Sequence, residues 1–284
     1  MAYDPKSFWN EKARRATEPV AAVCLACPAD NEGIDSVQRR LLGRALARLN
    51  RAMPLVGKRV LDYGSGIGRF VPLLESMGCV YSGVDIAEEM VALARRQRPL
   101  SDFRVLENSR IPHADATFDL VISVAVIHHN PYEQQERILD EIIRVLKPSG
   151  HAVLFESIGN PDPTNSLEFS RSIYEWLALC EKRGLLCTHH EGGRYFLTRT
   201  AWHRLRGLVA ASADPVPAPR WVDALGAVAD PIAGRLLPRR YQTRAVMVFE
   251  RGQRSSSTPT FVAAADASTT PTNRAATTDS PSGV

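Results

Sequence analysis

The residues best suited to chemistry in this chain fall in a fixed order. Asp62-Tyr63-Gly64-Ser65-Gly66-Ile67-Gly68 sets three glycines at alternate positions directly after the apolar run 59–63. Glycines so spaced admit positive φ and let a ligand approach the backbone where a Cβ would collide. Phe70, Leu73, Leu74 and Met77 follow at helical spacing. The turn therefore feeds a helix N-terminus, whose free N–H groups suit an anion. Asp85 closes a second apolar run, where a carboxylate can accept hydrogen bonds from two adjacent ribose hydroxyls. Glu107-Asn108 closes a third, placed to meet the amino group of an adenine. His128-His129 follows a fourth and offers imidazoles that could take a proton from a substrate. Each alone has a plain structural reading, since acids at strand ends commonly cap the next helix. Their order and intervals make a site.

The elements that must position these groups alternate. Strands are predicted at 59–63, 80–85, 103–106, 118–124 and 151–155, with helices at 5–15, 34–53, 70–77, 88–98 and 131–146. Strands alternating with helices at this interval mean βαβ units and a parallel sheet with right-handed crossovers. Ligands of such a sheet sit at the carboxyl ends of the strands, where strand order reverses. Beyond Glu156 the rhythm breaks. The sequence suggests a loop at 159–165, a helix at 167–182, an irregular strand pair at 185–196 and a helix at 198–209. A strand or loop at 214–219, a helix at 221–237 and a last strand at 241–250 follow. The Ser/Thr/Ala/Pro composition of 252–284 offers too little apolar surface to offset ordering and predicts disorder. The expected organisation is an N-terminal helical cap at 1–57, a ligand-binding domain at 58–251 and the tail at 252–284. An acceptor-binding insertion is expected at about 157–238.

Composition narrows the classes further. The 284 residues are 44% hydrophobic and 23% charged, ordinary for a globular protein with a full core. The net charge of +4 is mild and its basic residues are scattered, which argues against a nucleic-acid surface. No apolar run suits a membrane span, and residues 1–6 lack the build of a signal peptide. Five cysteines, an odd number, favour reduced thiols and a cytoplasmic location. Cys24-Leu25-Ala26-Cys27 has the spacing of a zinc knuckle, but Cys180, Cys187, His189 and His190 supply no matching second half. No metal is expected. Composition sets no oligomeric state.

The pattern Asp-x-Gly-x-Gly-x-Gly resembles motif I of the class I S-adenosylmethionine (SAM) methyltransferases, and Gly83-Val84-Asp85-Ile86-Ala87 resembles their motif II. Residues 111–121, IPHADATFDLV, resemble a segment of the ubiquinone- and menaquinone-type small-molecule methyltransferases. Ile127-His128-His129 and Arg144-Val145-Leu146-Lys147-Pro148-Ser149-Gly150 match later signatures of that family. The family usually has Asp at the position of Glu107 and Gly at that of Ser149. The resemblance covers about residues 58–156. It implies an α/β, Rossmann-like, doubly wound, seven-stranded and mostly parallel sheet with an antiparallel last strand. It also implies methyl transfer to the O, N or C of a small molecule from SAM, with SAM held by Asp62, Gly64, Ser65, Gly66, Gly68, Asp85, Ile86, Glu107, Asn108 and Ser123. His129, backed by His128, is the expected residue facing the acceptor. Asn130-Pro131-Tyr132 is similar to the N-P-P-Y box of amino-directed DNA methyltransferases. Its simpler reading is a helix start, with Asn130 the cap, Pro131 the first residue and Glu133 the third. A nucleic-acid or protein methyltransferase and a non-catalytic scaffold are the alternatives.

Overall fold

Seven strands form one sheet in the order β3-β2-β1-β4-β5-β7-β6. They are β1 (Arg59–Tyr63), β2 (Val80–Asp85), β3 (Asp102–Val105), β4 (Phe118–Val124), β5 (Leu146–Ser157), β6 (Leu185–Gly193) and β7 (Arg244–Arg251). The first five are parallel, and β7 runs antiparallel between β5 and β6. This computed structural model describes residues 3–16, 31–107, 109–159, 167–193 and 244–252, with pieces at 201–202, 219, 221–222, 225–226, 228–229 and 232. The predicted loop at 17–32, helix at 198–209, element at 214–219 and tail beyond Gly252 lie wholly or largely outside these residues, as does most of 221–237.

Side chains alternate across each strand, and both faces are covered, as the continuous apolar runs require. Val60 faces Leu42, Leu46 and Phe70, on the side of α2 (Asn31–Ala52), α3 (Val71–Ser76) and α4 (Glu88–Gln97). Its neighbour Leu61 faces Ile138, Leu139, Ile142 and Trp176, on the side of α5 (Tyr132–Val145) and α6 (Ile173–Glu181). The helix α1 (Pro5–Arg15) starts on an Asp4 cap and packs against α4. Its Asn10 bridges Glu88 at 2.9 Å and the Glu89 N–H at 3.0 Å.

Several boundaries differ from the sequence reading, and two of the larger differences have a local reason. The strand β5 begins at Leu146, directly at the end of α5, because Phe118 pairs with Leu146 before the register resumes at Leu120 and His151. Ser149, at φ +58°, carries the intervening irregularity. The helix α6 starts at Ile173 because Ser172 and Glu175 close a capping box there, leaving 167–170 to run beside His128. Residues 185–193 form a single strand. Asn130 does not cap α5. Pro131 stands at that position, and the Asn130 amide donates instead to the Val126 and Ile127 carbonyls at 2.9 and 3.4 Å.

Candidate functional site

The strand order reverses between β1 and β4, and a cleft of about 700 Å³, its open mouth included, lies over their carboxyl ends. The glycine turn forms its floor. Gly64, at φ +74°, turns the chain where a Cβ would stand 2.4 Å from Val126 Cγ2. The Gly64 and Ser65 N–H groups donate back to the Val84 carbonyl at 2.8 and 2.9 Å, tying the turn to β2.

Asp85 ends β2 and lines the same cleft. Its two oxygens accept the Gly66 and Ala87 N–H groups, both at 2.9 Å. Burial raises its pKa, while those backbone donors oppose the rise. The Ile86 N–H also acts on this carboxyl, which leaves one of its four acceptor positions for a ligand hydroxyl. Ile86, Leu106 and Met90 add apolar surface around it. Glycine backbone, a carboxylate with an acceptor position open and apolar walls fit a nucleoside.

Part of the cleft wall is aromatic. Ile127–His129 forms one 3₁₀ turn after β4, entered through Ala125 at φ +57°. His129 is buried but lines the cleft, with the Trp9 ring of α1 set edge-on at 5.8 Å. Its Nδ1 lies 2.7 Å from the Leu167 carbonyl oxygen. A carbonyl only accepts, so Nδ1 carries the ring hydrogen and Nε2 keeps the lone pair. Burial pushes the His129 pKa down to about 4, assisted by His128. The ring is therefore neutral at physiological pH.

Comparison with known proteins agrees with this geometry. Residues 61–154 match the family model described as "Methyltransferase domain". These residues are a methyltransferase domain. A demethylmenaquinone methyltransferase of Clavibacter sepedonicus is 33% identical over 135 residues, 46% of this chain and 51% of that one. A probable tRNA methyltransferase 9B of Mus musculus is 32% identical over 103 residues, 35% of this chain and 22% of that one. The chain thus spans between a fifth and about half of the length of these relatives. Magnesium protoporphyrin IX methyltransferase from Synechocystis PCC 6803, solved with bound SAH, is 14% identical with a TM-score of 0.55, covering 87% of this chain and 98% of that one. The fold is shared with that methyltransferase.

Within the methyltransferase domain, the cleft gathers Gly64, Ser65, Gly66, Asp85, Ile86 and His129 of the residues the sequence singles out. Others stand apart from it. Asp62 is buried beneath Tyr81, whose hydroxyl donates to it at 3.1 Å, and burial pushes its pKa up to about 7. Gly68, at φ +73°, packs against the Phe103 ring. Ser123 points behind the cleft wall and donates to Glu156 at 3.2 Å. His128 is 1% exposed and binds the same Glu156. Glu107 is exposed, its backbone paired with Arg110, while Leu106 before it reaches the cleft. Asn108 lies outside the described residues.

The sequence reading misses Arg69, Met90, Val126 and Asn130 on the cleft wall. Arg69 carries a signal, being a charge inside the glycine turn. It pairs with Asp35 at 2.9 Å and stacks on the Phe70 ring at 4.3 Å. Cys79 and Cys180 are buried and Cys187 is exposed, all as free thiols, and the described residues hold no metal-binding group. Cys24 and Cys27 lie outside those residues. Among the described residues no helix is long and apolar enough to cross a membrane.

Proposed function

We propose that this chain transfers a methyl group from SAM to a small-molecule acceptor seated between His129 and α1. One observation carries the reading: the glycine turn, Asp85, His129 and Trp9 line a single cleft. SAM brings a methyl group already activated on a sulfonium. The chain must then hold the donor, align the acceptor and exclude water. Asp85 holds the ribose through the acceptor position its backbone donors leave open, and the Gly64–Gly66 backbone lets the ligand approach closely. Leu106, Ile86 and Met90 enclose the base. Trp9 and Pro5 line the same cleft, so the N-terminal cap serves as part of the acceptor site.

His129 presents the Nε2 lone pair to the acceptor. A neutral imidazole with so low a pKa orients a hydroxyl or amine by accepting its hydrogen bond, and removes a proton only from an acidic one. The relative matched over the larger share of both chains acts, by its name, on demethylmenaquinone, which favours a small acceptor. The tRNA methyltransferase relative makes RNA the competing substrate to test. Incubation of the purified protein with methyl-labelled SAM and either a metabolite extract or total RNA separates the two. Label in the metabolite fraction is expected. Label in RNA alone would move the acceptor assignment. Failure to bind SAH, with label in neither fraction, would refute the activity.

A further inference from the structure

Glu156 lies near the end of β5, wholly buried, and methyl transfer as described makes no use of it. Its carboxyl ties β4 to the histidine turn. Oε1 accepts the Ser123 hydroxyl at 3.2 Å and the Ile127 N–H at 3.3 Å. Oε2 accepts the His128 N–H at 3.2 Å and lies 2.6 Å from His128 Nδ1. That same Nδ1 accepts the Ser157 N–H at 3.2 Å. A ring nitrogen that accepts carries no hydrogen, so the proton in the 2.6 Å contact belongs to the carboxyl.

The surrounding charges agree. His128 then carries its hydrogen on Nε2, which faces Glu168 Oε1 at 3.8 Å. Glu168 is paired with Arg244 at 3.2 Å, and Arg244 also reaches the Ser157 hydroxyl. Glu156 itself is wholly buried, so the neutral acid avoids holding a carboxylate charge away from water. Burial raises the Glu156 pKa and depresses that of His128, the directions this arrangement needs.

We propose that Glu156 is a neutral carboxylic acid donating to His128 Nδ1, and that through this bond it is the positioning residue for His129. The proposal rests on the role given to His129 above. Residues 127–129 make a single turn with few bonds of their own, and Glu156 takes two of its N–H groups. The His128 ring packs 4.1 Å from the His129 ring, centroid to centroid. The His128 carbonyl accepts the Phe169 N–H at 2.7 Å. That bond fixes the segment whose Leu167 carbonyl receives the His129 Nδ1–H. Release of His128 would therefore loosen two of the groups that hold His129.

Nitrogen-15 NMR of the histidine-labelled full chain tests this without a known acceptor, because ring shifts report which nitrogen carries the hydrogen. Wild type should show His128 as the Nε2–H tautomer and His129 as Nδ1–H. Glu156→Gln can still donate to His128 Nδ1 and should keep both. Glu156→Ala should turn His129 from one tautomer into a mixture. A His128 Nδ1–H tautomer in wild type would overturn the proposal, as would an unchanged His129 in Glu156→Ala. If Glu156→Ala does not fold, Glu156→Gln decides: loss of the His128 Nε2–H tautomer there also overturns it. Calorimetry with SAH runs alongside and should give wild type and Glu156→Gln the same affinity. Absence of SAH binding to wild type would sink the cofactor reading alone, while the tautomers still test Glu156.

Discussion

Asp62 opens motif I yet turns away from the cleft, so replacing it should alter stability and spare the ligand. Its carboxyl is 1% exposed and receives one hydrogen bond, from Tyr81. Burial raises its pKa from 3.8 to about 7, with Arg69 opposing the rise and Asp85 adding to it. The folded chain therefore keeps this proton to about pH 7, while the unfolded chain releases it near pH 4. Stability must fall as pH rises through that window, by about 1.4 kcal/mol per unit. Asp62→Asn has nothing to titrate there, and its amide oxygen can still accept from Tyr81. From pH 5 to pH 8 the variant should gain about 3 kcal/mol on wild type, two units of the window multiplied by that slope. Urea titrations of both proteins at several pH values measure the difference, and other titrating groups cancel within it. SAH affinity should stay within about threefold, well under 1 kcal/mol. Parallel stability curves would refute the burial argument, and a tenfold loss of affinity would return Asp62 to the ligand.

Asp85→Ala removes the carboxylate that meets both the turn and the proposed ribose, so SAH affinity should fall roughly ten- to a hundred-fold, measured by calorimetry on folded protein. His129→Ala should leave SAH affinity nearly unchanged. On the acceptor identified by labelling, its turnover should fall ~10²–10⁴-fold if the ring takes a proton in the transition state, whereas near-normal turnover would remove that role. Arg144→Lys should cost about 1–3 kcal/mol in urea unfolding, because the guanidinium spans Glu141, Asp115 and the carbonyls of Ile111 and His113 at once, and an ammonium cannot. Truncation after Gln253 should change neither Tm nor SAH affinity, since the tail composition offers no packing face; a large loss of either would show that it docks.

Period and glycine chemistry make half of this protein readable in the chain, and the unreadable half follows from distance in sequence. The runs 59–63, 80–85 and 118–124 are strands to the residue, because buried parallel strands are largely apolar and the first two end on glycine or acid. The same marks deliver Gly64, Gly66 and Asp85 to the cleft. They fail for Asp62 by one step of the pleat. Successive strand residues face opposite sides of the sheet, and Asp62 shares its face with Tyr81, while Tyr63 beside it reaches the cleft. Glu107 fails because the chain turns back on Arg110 before its side chain can return to the cleft. Glu156 carries the same outward mark as Asp85, an acid closing an apolar run. Its role is invisible in the chain, because its partners at Ser123 and His128 come from another strand end and the turn beyond it. An acid at a strand end therefore announces a site only as a candidate. Whether it faces the ligand, as Asp85 does, or braces the residue that does, as Glu156 is placed to do, is decided by which N–H groups the tertiary fold brings to its two oxygens.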